Sequence, residues 1–197
     1  MTATSIVAWA VAAVIVVWAV ATYNRLRTLR NQVENAYAQI DVQLKRRHDL
    51  IPNLVEVARG YMRHEASTLE AVTRARSQAV AATDKARQQP GAAQAMGALM
   101  VAEQALGGQL GRLMALAEAY PELKADQRMK ELSEEIASTE NRIGFARQAY
   151  NDQVLDFNNR AGQFPDLVVA RLLGFLHLDM LAATQSEAER AAPKVRF

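Results

Sequence analysis

An apolar run near the N-terminus is the feature that most constrains this sequence. Between Ile6 and Thr22 every residue except the last is apolar, and no charged residue interrupts the run. A helix of about 20 such residues crosses the hydrocarbon layer of a bilayer. Trp18 and Tyr23 lie near one end of the run, where interfacial aromatic side chains collect. The apolar run therefore predicts a transmembrane anchor over residues 1–23.

A cleaved signal peptide is the alternative, because Ala19-Val20-Ala21 has the small-residue pattern of a cleavage site. However, no Lys or Arg precedes the run, and a signal peptide normally begins with one. We therefore expect the anchor to be retained. The nearest basic residues, Arg25, Arg27 and Arg30, all follow it. The positive-inside rule then predicts a single-pass protein with its N-terminus outside and its remaining residues in the cytoplasm.

The rest of the chain has the periodicity of long amphipathic helices. Between residues 24 and 88, apolar residues recur at steps of three, four and seven, which indicates a helix. Later breaks contain Pro and Gly. They predict further helices at about 92–120, 121–162 and 166–183, and a disordered tail over 184–197. Because short connections make neighbouring helices antiparallel, we predict an all-α fold: a transmembrane helix that continues into an elongated antiparallel bundle over 24–183.

Pro52 lies inside the first of these predicted helices. A proline in a helix interior removes one backbone hydrogen bond and kinks the helix, or else it begins a new helix. Asp49 precedes Pro52 by three residues and has a side chain suited to cap such a new helix. Since the apolar pattern keeps its phase across Pro52, we favour a kink.

A run of three cations, Lys45, Arg46 and Arg47, interrupts the same helix. Charge runs usually lie on a solvated face, but three consecutive residues cover most of the circumference of a helix, so at least one must point inward. Glu140 and Asn141 interrupt the apolar face of the third predicted helix. We therefore predict a buried polar pairing among these residues, in which Arg46 or Arg47 binds Glu140 and fixes register more than it adds stability.

Other polar residues follow the two longest helices. They either line a cleft that docks a ligand or partner, or make the helix-to-helix hydrogen bonds that commonly fix alignment in a long seam. We favour the second role. The residues are Asp41, Asp49, Asn53, Asn141, Asn151 and Asn158.

The fourth predicted helix is apolar almost all round, so it must be buried. Residues 167–181 are too few and too polar to span a bilayer. We favour packing against the bundle or a neighbouring subunit, and the alternative is that the helix lies in the membrane interface. The residues predicted to make oligomer or membrane contacts are Leu167, Val168, Leu172, Leu173, Phe175, Leu176 and Met180.

Several stretches resemble the LemA family of bacterial and archaeal proteins. The most specific is Ile40–Val55, and the resemblance continues at Ala119–Ala125, Thr139–Ile143 and Phe164-Pro165. The resemblance implies a single N-terminal membrane helix and a cytosolic helical domain at the inner membrane. It also implies a link to membrane organisation, since one family member acts in magnetosome membrane formation. No enzymatic activity is established for the family.

No residue arrangement in the sequence points to catalysis. The chain has no Cys, and His48, His64 and His177 lack the spacing of a helical zinc site. The glycine motifs that bind phosphate and the nucleophile elbow of serine hydrolases are absent from the sequence. A net charge of +2 is not typical of a nucleic-acid-binding domain. We therefore expect no catalytic residue, metal, cofactor or nucleic-acid partner.

Two functions agree with these features. The first is a membrane-anchored, non-enzymatic scaffold that self-associates through its helices and organises or shapes the membrane. The second is an adaptor or regulator that docks onto another membrane protein, such as a protease or a sensor. The first predicts a homo-oligomer in contact with membrane lipid, whereas the second predicts a heterologous membrane-protein partner.

Overall fold

The computed structural model describes residues 3–181, and every regular element among them is a helix. The helices are α1 (Ala3–Tyr61), α2 (Ala66–Gln88), α3 (Ala93–Ala117), α4 (Pro121–Ala125), α5 (Gln127–Gly162) and α6 (Asp166–Leu172). The predicted fold class is confirmed: the protein is all-α, and its long N-terminal helix packs against the others in a bundle.

The single helix α1 contains both the apolar run and one side of the bundle. It has 59 residues, which corresponds to about 90 Å at 1.5 Å per residue. No side chain between residues 6 and 21 is buried, and this stretch is long and apolar enough to cross a membrane. Beyond it, buried apolar residues recur at steps of three, four or seven positions and face the bundle. They include Leu26, Val33, Tyr37, Ile40, Leu44, Ile51 and Leu54.

The helix predicted over residues 24–88 is divided in two, because α1 ends at Tyr61 and α2 begins at Ala66. In the turn between them, Glu65 N donates to Met62 O at 3.1 Å, and the Met62 side chain is fully buried. The turn reverses the chain, so α2 packs antiparallel on α1. The sequence signal for this break was Gly60, a weak helix former.

Pro52 lies on the exposed side of α1, and the helix continues through it. A new helix beginning at Asp49 is therefore wrong. The kink at Pro52 stays a prediction.

The helix predicted over residues 121–162 also has a break near its start. The short helix α4 begins with Pro121, and Asp126 then caps α5: its Oδ1 accepts a hydrogen bond from Met129 N at 2.9 Å. Tyr61, at the end of α1, donates from Oη to Asp126 Oδ2 at 3.0 Å. The hydrogen bond from Met129 has the larger effect and that from Tyr61 the smaller, and together they lower the pKa of Asp126 below its ordinary value. Asp126 thus joins the ends of α1 and α5.

The helix predicted over 166–183 is much shorter, since α6 ends at Leu172. Gly174 has a φ of 71°, and Phe175 N donates to Ala170 O at 2.9 Å. This pattern is a Schellman motif, which terminates helices at a glycine. Residues 173–181, which we call the strap, continue without regular structure. Residues 182 and 183 of the predicted helix, and the predicted tail over 184–197, lie outside the described residues.

The buried side chains form two clusters along the bundle. The proximal core lies nearer to the apolar run and includes Leu26, Tyr37, Leu44, Tyr150 and Phe157. The distal core includes Ile51, Leu54, Met62, Leu106 and Leu123. Along α1, the proximal core extends to Leu44 and the distal core begins at Leu50. Between these two residues lie Arg47 and His48.

Candidate functional site

A buried layer of charge separates the two cores. Arg47 and His48 have only 3% and 4% of their surface exposed. The Arg47 guanidinium binds two carboxylates: Nη2 contacts Glu103 of α3, and Nη1 contacts Glu140 of α5. We call Arg47, His48, Glu103 and Glu140 the charged layer. Because one guanidinium is shared by two carboxylates, Arg47 links α1, α3 and α5 at one level of the bundle.

His48 connects α2 to the same layer. Its Nε2 lies 2.8 Å from Glu103 Oε1, and its backbone oxygen accepts a hydrogen bond from Arg76 Nε of α2 at 2.6 Å. Burial, and then the neighbouring Arg47 cation, lower the pKa of His48 to about 4. The ring is therefore neutral at pH 7, and its Nε2–H donates to the Glu103 carboxylate. All four long helices meet at this layer.

The structure brings together Arg47 and Glu140, two of the residues predicted to form a buried polar pairing. Arg46 is exposed and binds Glu135 instead, with Nε 3.0 Å from Oε1. Asn141 is exposed on α5. Even Glu140 has a side chain that is 52% exposed, whereas that of Glu103 is only 14% exposed. The most buried carboxylate of the layer is therefore Glu103.

Sequence reasoning missed Glu103, although a signal for it exists. It is the only charged residue between Arg87 and Arg112. A single carboxylate within such an apolar stretch needs a cationic partner if its helix packs in a bundle. Arg47 is that partner in the structure.

A second set of contacts holds the strap against α5. Asn158 donates from Nδ2 to Leu178 O at 2.8 Å and accepts from Leu178 N at 3.0 Å. Asn151 makes the same pair of hydrogen bonds with Leu181, at 2.7 and 2.8 Å. Each amide side chain thus pairs with one strap residue as a neighbouring backbone would. These two asparagines bind irregular backbone, whereas helix-to-helix contacts were favoured for them.

The strap also meets the turn between α2 and α3. Asp179 N donates to Gly91 O at 3.0 Å, and Tyr150 Oη donates to Asp179 O at 3.0 Å. Gly91 has a φ of 84°, and a Cβ at this position would lie 2.8 Å from Leu178 Cδ2. Only glycine fits here without a shift of Leu178. The strap therefore closes the proximal core over three helices.

The start of α6 is tied to the end of the apolar run. Asp166 is buried, its Oδ2 pairs with Arg160 of α5, and its Oδ1 accepts a hydrogen bond from Thr22 Oγ1 at 3.3 Å. Phe175, just after α6, packs edge-on against Tyr23 with 5.8 Å between ring centroids. Both ends of the segment 166–175 therefore meet α1 at adjacent residues.

The residues predicted to make oligomer or membrane contacts fall into two groups. Phe175 packs inward, also against Phe157, and Leu167 is half-buried. The remaining five are exposed: Val168, Leu172, Leu173, Leu176 and Met180. Sequence reasoning missed the neighbouring Phe164, the most exposed of the large apolar side chains in the described part of the chain.

The other polar residues of interest are dispersed. Asp41 forms two hydrogen bonds of 2.9 Å with Arg87 of α2, and Asp49 is exposed. Asn53 lines an open cleft of about 610 Å³ between α1 and α5 at the distal end of the bundle. Within residues 3–181, no three His, Cys, Asp or Glu side chains group in a way that could hold a metal ion.

The fold and these contacts define a class of protein: a helical bundle built on one long helix whose apolar N-terminal part suggests membrane anchoring. Comparison with known proteins identifies the family within that class. Residues 36–197 match the LemA family. The match covers most of the chain, which therefore belongs to the LemA family.

Individual relatives are distant. The chain is 24% identical over 172 residues to the magnetosome protein MamQ of Magnetospirillum gryphiswaldense. The aligned region covers 80% of this chain and 63% of MamQ. The chain is 26% identical over 168 residues to the magnetosome protein MamQ 2 of Paramagnetospirillum magneticum, with 78% and 62% covered. It is 26% identical over 164 residues to protein LemA of Metamycoplasma hominis, with 83% and 70% covered. The chain thus spans less than two thirds of the length of these MamQ proteins.

Proposed function

We propose that this protein is a membrane-anchored, non-enzymatic scaffold that self-associates and organises or shapes the membrane that α1 crosses. The observation that carries the proposal is the continuity of α1, which joins the unburied apolar run to both cores without a break. A continuous helix transmits the orientation of its membrane segment to the bundle. Similarity to two magnetosome proteins supports a role in membrane organisation. The basic residues after the run support a cytoplasmic bundle at the inner membrane.

The outer groove between α1 and α5 offers a surface for self-association. Its lining residues are Gln32, Asn35, Ala36 and Gln39 of α1 and Ala149, Asp152 and Gln153 of α5. Val42 continues the α1 row at helical spacing, and Phe145 continues the α5 row. Both are exposed, Phe145 to 75%. Exposed aromatic side chains are typical of protein interfaces, so we propose that a second copy covers Phe145.

Mass photometry and negative-stain imaging of the full-length protein in mild detergent test this proposal. We expect a discrete assembly larger than one copy, and we expect Phe145→Ser to reduce it to the monomer. Val101→Ser is the matched control, because Val101 is 70% exposed but lies on α3. It should leave the assembly intact.

The adaptor role is the second outcome that this experiment distinguishes. A full-length protein that stays monomeric at every concentration would contradict self-association. A membrane protein that then co-purifies in a fixed ratio, and is lost in Phe145→Ser, would identify the same groove as the docking site of an adaptor.

A further inference from the structure

Exposed apolar side chains gather at the end of the bundle where α1 leaves its apolar run. They lie in α6 and in the residues beside it, and their exposed fractions range from 47% for Val168 to 84% for Phe164. We call this group the apolar hook. A group of this size on one end of a bundle marks an interaction surface. Its members are Phe164, Val168, Leu172, Leu173 and Leu176.

The position of the hook is fixed by its two contacts with α1. Thr22 donates to Asp166, at the start of α6, and Tyr23 packs on Phe175, just after its end. Thr22 and Tyr23 are adjacent and close the apolar run. The two ends of the segment 166–175 therefore contact α1 at the same level, beside the point at which α1 would enter a bilayer.

The opposite side of the same segment is fully packed. Val169 and Ala170 are buried, Ala170 in the proximal core together with Leu26 of α1. The segment therefore has one apolar side against the bundle and a second apolar side that no residue between 3 and 181 covers. Burial in the bundle, favoured from the sequence, accounts for the first side only.

Exposed cations lie in the two chain segments that contact each other at this end of the bundle. Arg25 and Arg27 follow the apolar run on α1, and Arg171 lies within α6. A short segment with apolar side chains beside cations binds the boundary between lipid headgroups and acyl chains, where the cations meet anionic phosphates. The charge around the hook thus fits a lipid surface.

We propose that the apolar hook inserts into the headgroup–acyl boundary of the bilayer that α1 crosses and forms a second, interfacial attachment. This proposal rests on the proposed insertion of α1. A bundle attached at one helix alone can turn about the axis of that helix. Because transmembrane helices are tilted by about 20° on average, such a turn lifts a group on the side of the bundle out of the headgroup–acyl boundary. With the hook also inserted, that rotation is restricted, and every copy presents its outer groove at the same height above the membrane.

A site-specific fluorophore tests the insertion. The chain has no Cys, so the single substitution Leu176→Cys allows one environment-sensitive label, such as NBD, on the full-length protein. The labelled protein is reconstituted into vesicles of phosphatidylcholine and phosphatidylglycerol, with or without brominated acyl chains. We expect the label at position 176 to emit at shorter wavelength than in water and to lose intensity when the lipid is brominated.

Val101→Cys is the matched control. Val101 is also highly exposed, but it lies two residues from Glu103, which contacts Arg47 of α1. Arg47 is about 38 Å beyond Thr22 along α1. A label at position 101 should therefore show neither the spectral shift nor the quenching.

Native tryptophan fluorescence separates failure of the hook from failure of the anchor. Trp9 and Trp18, the two tryptophans of the chain, both lie in the apolar run, so their quenching by brominated lipid reports insertion of α1. Quenched tryptophans with an unquenched label at position 176 would overturn the hook and leave the anchor in place. A blue-shifted but unquenched label would also overturn it, in favour of a protein cover. Unquenched tryptophans would overturn both proposals.

Discussion

The proximal and distal cores share α1 but are closed in different ways. The distal core is lined mainly by aliphatic side chains and is closed by local turns, at Met62 and at the Asp126 cap. The proximal core contains Tyr37 and Tyr150, packed edge to face with 6.1 Å between ring centroids, and is closed by the strap. The strap depends on side chains that bind irregular backbone. Closure by side chains that bind irregular backbone is therefore found at the end next to the apolar run.

The charged layer should govern whether the two cores unfold together. Loss of its buried carboxylate should give the largest decrease in stability among the variants below. Glu103→Gln removes the buried negative charge that faces Arg47. Loss of one partner from a buried ion pair costs about 3–5 kcal/mol, so we expect a clearly lower melting temperature by circular dichroism in detergent. Glu140→Gln, at the half-exposed end of the same layer, is the control and should lower it less. Equal effects would contradict the ranking by burial.

Protonation of His48 should weaken the charged layer and leave the packing of both cores unchanged. The pKa of His48 is about 4 in the folded protein, below its ordinary value of 6.5, so the unfolded chain binds the proton more readily between these values. The contribution of His48 to the free energy of unfolding is fully present above pH 6.5. It is lost as the pH falls towards 4, by up to about 3 kcal/mol.

Stability depends on pH through every group that binds protons differently in the folded and unfolded chain, so the test is a difference between two chains. Urea unfolding of the full-length protein at several pH values should show a shallower decline for His48→Gln than for the wild type. Parallel declines would show that His48 does not carry this pH dependence.

Loss of an asparagine that binds the strap should destabilise the proximal core and leave the distal core unchanged. Asn158→Ala removes both hydrogen bonds to Leu178 and leaves that backbone without its partner, at a cost of about 1–3 kcal/mol. We expect faster hydrogen exchange at the Leu178 and Leu181 amides, with little change in the distal core. Asn53→Ala, at the distal cleft, is the control. Acceleration throughout the bundle would show that the two cores do not open separately.

The smallest effects concern the two tyrosines of the proximal core. Tyr150→Phe removes the hydrogen bond to Asp179 O and should cost about 1 kcal/mol. The Tyr37 hydroxyl is buried and has no hydrogen-bond partner in the described part of the chain. Because removal of an unpaired polar group relieves a desolvation penalty, Tyr37→Phe should be neutral or stabilising. Thermal unfolding of both variants compares them, and the reverse order would contradict the assigned hydrogen bonds.

The sequence predicted the features that are periodic. The seam of α1 follows from its repeating apolar steps. The run of three cations predicted that at least one of them points inward, and the structure shows that this residue is Arg47. The breaks after Tyr61 and after Leu172 were not found, because each depends on a glycine together with tertiary packing of its neighbours. Contacts of Asn151 and Asn158 with the strap join residues 30 and 20 positions apart. No periodic pattern records such pairs, so their roles needed the structure.

The unbroken path of α1 also makes the protein a lever. From Thr22 to Tyr61 the helix extends about 60 Å at its standard rise. Transmembrane helices tilt by about 20° on average, and such a tilt displaces the far end of a lever of this length by about 20 Å. If α1 crosses the membrane as proposed, a change in its tilt therefore becomes a lateral movement of the turn at Met62, at the far end of the bundle.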